Sequence, residues 1–110
     1  MAKLKSISRK TKGKRVYISG PMTGLPEYNY PMFDYKEERL WEMGFIPVNP
    51  ANNFNRDTTR ERWEYLKEDI KNLLTCDYIL FLPGFERSAG ALLEALVARE
   101  CNIPVLEFEI

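Results

Sequence analysis

Asp77-Tyr78-Ile79-Leu80-Phe81-Leu82 runs into Pro83-Gly84, then Phe85-Glu86-Arg87, then Ser88-Ala89-Gly90-Ala91-Leu92-Leu93-Glu94. The first six residues form the strongest strand of the chain, an almost unbroken apolar run suited to the middle of a parallel sheet, and Pro83-Gly84 ends it. Ser88 opens a helix expected to run to about Cys101. Residues 89 to 98 are apolar on nearly every face, so this helix is expected to be packed all round. Glu94 is the only charge within that run. At about 100° per residue its direction is shared with Ala91 and Ala98, which are small enough to leave a hollow beside the carboxylate. Burying a carboxylate without partners is costly. Glu94 therefore either serves chemistry, as a nucleophile or an acid/base group, or reaches the surface or pairs with an arginine such as Arg99 or Arg87.

Upstream, Arg15-Val16-Tyr17-Ile18-Ser19 reads as a short buried strand stopped by Gly20-Pro21. The loop from Gly20 to Pro31 carries Met22, Thr23, Gly24, Pro26, Tyr28, Asn29 and Tyr30. Such a content of aromatic and polar side chains suits covering a site better than merely joining two elements. A helical pattern with Phe33, Leu40, Trp41 and Met43 spans Met32 to Met43 and stops at Gly44. Phe45-Ile46-Pro47-Val48 is a second short strand, placed near a sheet edge because Pro47 has no N–H for a ladder. The polar stretch from Asn49 to Thr59 has the composition of a mobile loop. Thr59 is a candidate N-cap for a helix in which Trp63, Leu66, Ile70, Leu73 and Leu74 recur at helical spacing. Asp69 falls beside Ile70 near that stripe, facing either the sheet or, as most such aspartates do, the solvent. Pro104-Val105-Leu106-Glu107-Phe108 gives a last strand.

Strand and helix thus alternate with no repeat and no linker, which favours a parallel sheet with helices on both faces. The expected fold is α/β, a small doubly wound, Rossmann-like domain of about four strands in the order 2-1-3-4. In such sheets ligands bind beyond the carboxyl ends of the strands where the winding reverses, here between the first and third strands. The loops at that point, Gly20 to Pro31 and Pro83 to Ser88, are the ones already suspected on composition, and the coincidence favours chemistry at Glu94.

The 110 residues, 45% apolar and 13% aromatic, suffice for one core and one domain. A deep site in so small a domain has reason to borrow walls from a second subunit, so a homo-oligomer is expected. The formal net charge is zero, yet residues 1 to 15 hold seven Lys or Arg and no acid, leaving nine basic against sixteen acidic residues afterwards. Residues 1–14 read as a basic flexible arm and residues 15–110 as the α/β domain. The arm lacks the interleaved aromatics of a single-strand binding surface, so nucleic acid stays a minor expectation. No run approaches a membrane span, and no apolar segment follows the basic start to make a signal peptide, which points to a cytoplasmic protein without membrane contact. Cys76 and Cys101, with no His, offer neither a disulfide framework nor a credible metal site. Catalysis is left to Glu, Asp and Tyr, because the usual base of a nucleophilic triad is missing.

Ser88 and Gly90 open a helix whose free N–H groups, hydroxyl and positive dipole end suit a phosphate or carboxylate. Ser88 equally suits the capping of its own helix. Tyr17 ends the first strand, either reaching a carboxylate on the neighbouring helix or sitting in the core with its hydroxyl satisfied. Tyr28, Tyr30 and Phe85 could stack on a planar ligand or simply pack. Gly20-Pro21-Met22-Thr23-Gly24 is not the dinucleotide pattern G-x-G-x-x-G and no Walker sequence occurs, so no cofactor is expected.

Taken as a set, Val16-Tyr17-Ile18-Ser19-Gly20-Pro21-Met22, the apolar strand opening at Asp77, and Ser88-x-Gly90 with Glu94 resemble the nucleoside 2-deoxyribosyltransferase superfamily, which includes deoxynucleoside 5′-monophosphate N-glycosidases. Gly20-Pro21-Met22-Thr23-Gly24 and Tyr28-Asn29-Tyr30-Pro31 place the chain beside a small phage and bacterial branch described as a domain of unknown function. The resemblance extends over about residues 15 to 108. It implies that Glu94 is a nucleophile attacking C1′ of a 2-deoxyribosyl group, that Tyr17 orients it, and that Asp69 assists the leaving base. A covalent glycosyl-enzyme would then be resolved by water or by a second base. Gly20, Pro21, Met22, Asn29, Ser88 and Gly90 would bind the substrate. The transferases have an acidic, base-contacting residue where the monophosphate hydrolases have a phosphate-binding serine, so Ser88 implies a nucleotide rather than a nucleoside. The transferases also complete each site with an asparagine near the C-terminus of a neighbouring subunit. No asparagine follows Asn102 here, which bears against base exchange. The alternative is a nucleotide-binding or sequestering protein that uses the same pocket without turnover.

Overall fold

A computed structural model describes residues 12–107. The strands are β1 (Arg15–Ser19), β2 (Ile46–Val48) and β3 (Tyr78–Phe81), and the helices α1 (Tyr30–Glu42), α2 (Arg62–Leu73) and α3 (Ala89–Glu100). β1 lies centrally and pairs in parallel with both neighbours, in the order β2-β1-β3. Tyr17 stands opposite Val48 on one side and Ile79 on the other. Pro47 sits on the edge strand, where its missing N–H costs no ladder bond.

Side-chain alternation along β1 builds two cores. Val16 and Ile18 join Phe33 and Leu40 of α1, with Phe45, Leu80 and Leu82. Tyr17 faces the other way and joins Leu73 of α2, Ile79, Ala98 of α3 and Ile103. One helix therefore covers one face of the sheet and two cover the other, as parallel strands require. Phe33 and Leu40 are fully buried, each worth about 1.5–3 kcal/mol relative to exposure.

Several expectations are corrected. Among the described residues there are three strands, not four. The segment after α3 meets the outer edge of β3 in one parallel bridge, Ile79 with Val105, fixed by Ile79 N–H to Pro104 O (3.0 Å) and Leu106 N–H to Ile79 O (2.8 Å). Pro104 has no N–H to extend that ladder and Val105 is half exposed, so little burial holds a longer strand. Phe108 and residues 1–11 of the expected basic arm lie outside the described residues. The first helix starts at Tyr30 with Pro31 in its first turn, preceded by a 3₁₀ turn over Pro26–Asn29.

The loop expected to be mobile folds instead into 3₁₀ turns over Pro50–Arg56. Asn49 pins it, accepting from Ala51 N–H (2.9 Å) and donating to Asp34 (3.0 Å) and Glu37 (2.8 Å) of α1, while Arg56 bonds Asp34 (2.6 Å). The cap of α2 is Glu61, in a reciprocal box with Glu64, and the Thr59 hydroxyl is spent on Asp57. Trp63 and Leu74 do not join the buried stripe of α2 and are more than half exposed. Nor is α3 packed all round: Ala91, Glu94 and Ala98 face inward, but Leu92, Leu93 and Leu96 are exposed, because the sheet and α2 cover only one side of it.

Candidate active site

Tyr17 and Ser19 stand two apart on β1, so the pleat sends both side chains to the face covered by α2 and α3. Both are fully buried. Above them α3 presents Ala91, Glu94 and Ala98 on one stripe, and Glu94 is only 5% exposed. Tyr17 Oη donates to Glu94 Oε2 at 2.9 Å, and Ser19 Oγ donates to Oε1 at 2.6 Å. Neither arginine of the structural alternative pairs with Glu94: Arg99 bonds Glu100 on the surface, and Arg87 makes no ion pair among the described residues. Burial pushes the Glu94 carboxyl above its usual range, and the Ser19 and Tyr17 hydroxyls pull it partly back. Burial, and then the charge of Glu94, raise the Tyr17 phenol well above its ordinary value.

Glu94 lines a cavity of about 750 Å³ that also holds Asp69, Gly20, Pro21, Met22, Ser88 and Gly90. Asp69 of α2 thus faces the interior rather than solvent. Asn53 Nδ2 donates to its Oδ1 at 2.7 Å. Its carboxyl is pushed up to about 7, first by burial and then by the charge of Glu94, with Asn53 opposing. Two carboxyls in unlike surroundings therefore share one cavity. Glu94 has two hydroxyl donors and Asp69 one amide, an asymmetry that favours an ionised Glu94 beside a protonated Asp69 near neutral pH.

Ser88 caps α3, its Oγ accepting from Ala91 N–H at 3.1 Å. That bond uses an oxygen lone pair and leaves the hydroxyl proton free to donate. A Cβ built on Gly90 would come no nearer than 3.9 Å to Ser88 Oγ and 4.0 Å to Leu66, so the protein itself does not demand glycine there. At Gly20 it does, because a Cβ would lie 2.7 Å from Leu82 Cβ.

Tyr28 and Tyr30 line the cavity with ring centroids 5.7 Å apart. Phe85 does not, being stacked on Phe81 at 4.3 Å. Asn29 is likewise outside the lining. Its backbone is left-handed (φ 63°) and its Nδ2 donates to Pro21 O at 2.9 Å, so it braces the loop from behind. The sequence reading missed Ser19 as a partner of Glu94, although its i+2 spacing from Tyr17 was visible. It also missed Asn53 and the cationic rim. Of that rim, Arg56 bonds Asp34 and lies over the Tyr30 ring at 4.6 Å, and Arg60 pairs with Glu64 at 3.0 Å. Arg62 and Arg87 line the cavity without an ion-pair partner among the described residues.

Residues 14–107 match the family described as "Domain of unknown function (DUF4406)". The chain belongs to this family. Among solved structures it is similar to a 2-desoxiribosyltransferase from Leishmania mexicana, with a TM-score of 0.67 and 19% identity over 86% of this chain. That likeness is one of fold, and the aligned part amounts to 63% of the Leishmania protein. No curated protein matches the sequence. In this member of the family the described residues contain no helix long and apolar enough to cross a membrane.

Proposed function

We propose that this protein cleaves or transfers the N-glycosidic bond of 2′-deoxynucleotides, or of deoxynucleosides, through a covalent glycosyl-Glu94 intermediate. The observation that carries the proposal is Glu94 itself, a buried carboxylate held by two hydroxyls beside a second carboxyl, Asp69, that keeps its proton to about pH 7. The neighbour of like fold is named as a 2-desoxiribosyltransferase, which supports the same chemistry.

Glu94 attacks C1′ as the bond to the base breaks, the electron pair leaves with the base nitrogen, and Asp69 supplies that nitrogen with a proton. Tyr17 holds the carboxylate in line. Water or a second base then attacks C1′ from the opposite face, Asp69 takes back a proton, and configuration is retained. The Ser88 hydroxyl, the first-turn N–H groups of α3, and Arg62 and Arg87, which have no ion-pair partner among the described residues, suit a 5′-phosphate. The exposed Leu92, Leu93 and Leu96 of α3 suit a second copy of the chain.

Incubation with deoxynucleoside monophosphates should release free base. Glu94→Gln should lower that rate at least about a thousandfold, and release that survives the substitution unchanged overturns the role of Glu94. A new nucleotide formed on adding a second base identifies a transferase. Tight nucleotide binding without base release would instead mark a binder using the same pocket.

A further inference from the structure

We propose that Ser19 is a positioning residue for this reaction, the donor that keeps Glu94 ionised and in line while Asp69 carries the proton. The proposal rests on the glycosyl chemistry above and deepens it. Tyr17 and Ser19 divide the carboxylate between them, one on each oxygen, and the Ser19 bond is the shorter at 2.6 Å. That length falls in the range of a charge-assisted O–H···O⁻ bond.

The backbone at Ser19 is held on both sides. Its carbonyl accepts Leu82 N–H at 2.8 Å, it stands opposite Phe81 in the central strand pair, and the next residue, Gly20, has no room even for a Cβ. The ladder therefore fixes the backbone from which the side chain springs, and the Ser19 hydroxyl donates to Glu94 Oε1.

The titratable and charged groups around Glu94 and its cavity are Tyr17 from β1, with Cys76 behind it, Tyr65 and Asp69 from α2, Tyr28 and Tyr30 from the loop after β1 and the start of α1, and at the rim Arg56, Asp57, Arg60, Arg62 and Arg87. Among the described residues no cation bonds the carboxylate, and its hydrogen-bond donors are the two hydroxyls. Removing Ser19's hydroxyl leaves Oε1 without its donor in a buried site. The proton shared by the cavity is then drawn toward Glu94, where it blocks the nucleophile, and away from Asp69, where it is needed.

The test uses Ser19→Ala and Ser19→Cys, the second retaining a weaker donor of similar size. Carbon-13 NMR titration of the side-chain carboxyls reads the Glu94 midpoint without any turnover. It should move upward in Ser19→Ala, with Ser19→Cys between it and the unaltered protein. The acid limb of the pH profile for base release should move the same way, and kcat at neutral pH should fall about tenfold to a hundredfold with a smaller change in KM. An unmoved Glu94 midpoint in a folded variant overturns the proposal, and Ser19→Cys carries the comparison if Ser19→Ala does not fold. A midpoint that moves in a protein releasing no base upholds Ser19's hold on Glu94 and overturns the proposed reaction instead.

Discussion

Replacing Asp69 by asparagine keeps an acceptor for Asn53 but removes a carboxyl that is ordinarily half-ionised near 3.8 and in the folded protein is held at about 7. Below pH 3.8 the side chain is protonated in both the folded and the unfolded chain and makes no difference to stability. Between 3.8 and about 7 the unfolded chain gives up its proton and the folded protein does not. The folded state then binds more protons, so its stability falls as pH rises through that interval and levels off above it. At 1.36 kcal/mol per pH unit the interval is worth about 4 kcal/mol. Urea unfolding from pH 4 to pH 8 should therefore show the variant gaining on the unaltered protein by up to about 4 kcal/mol, with the gap constant above pH 7. Glu94 is shifted in the same direction but is common to both proteins, so it cancels in the difference. The same substitution should lower base release by about 10²- to 10⁴-fold, since it deletes the proposed proton donor. A variant both more stable at pH 8 and inactive is the expected signature, and two stability curves that run parallel across the range would refute the assignment of the proton to Asp69.

Tyr17→Phe removes the hydroxyl that donates to Glu94 Oε2. Urea unfolding should show a loss of about 1–3 kcal/mol at pH 8 and less at pH 5, where Glu94 is protonated more readily; an equal loss at both would mean mere packing. Gly90→Ala has room at 3.9–4.0 Å and should raise stability by up to about 1 kcal/mol through helix propensity. Calorimetry should nonetheless show weaker nucleotide binding, and unchanged affinity would remove Gly90 from the site. Gly20→Ala forces a contact of 2.7 Å with Leu82 and should cost about 1–3 kcal/mol in chemical unfolding; an unchanged midpoint would show that the strand end can shift.

The local features were legible because they repeat within a short window. The apolar run at Asp77–Leu82, the stops at Gly20 and Pro83, and the alternation of strand with helix already imply a parallel α/β sheet with Pro47 at its edge. Helical periodicity alone puts Ala91, Glu94 and Ala98 on one stripe, and the structure buries all three. What lay beyond the sequence joins residues far apart along it. The Ser19–Glu94 bond spans 75 positions, and the Asn53–Asp69 bond depends on a loop whose turns are set by Asn49 and Arg56 rather than by its own composition. Likewise, no window of sequence tells that the sheet covers only one side of α3, or that the segment at Val105 pairs through a single bridge. Periodicity is a property of neighbours and can be read from them. The company a buried carboxylate keeps is fixed by strand order and register, which only the packed sheet decides.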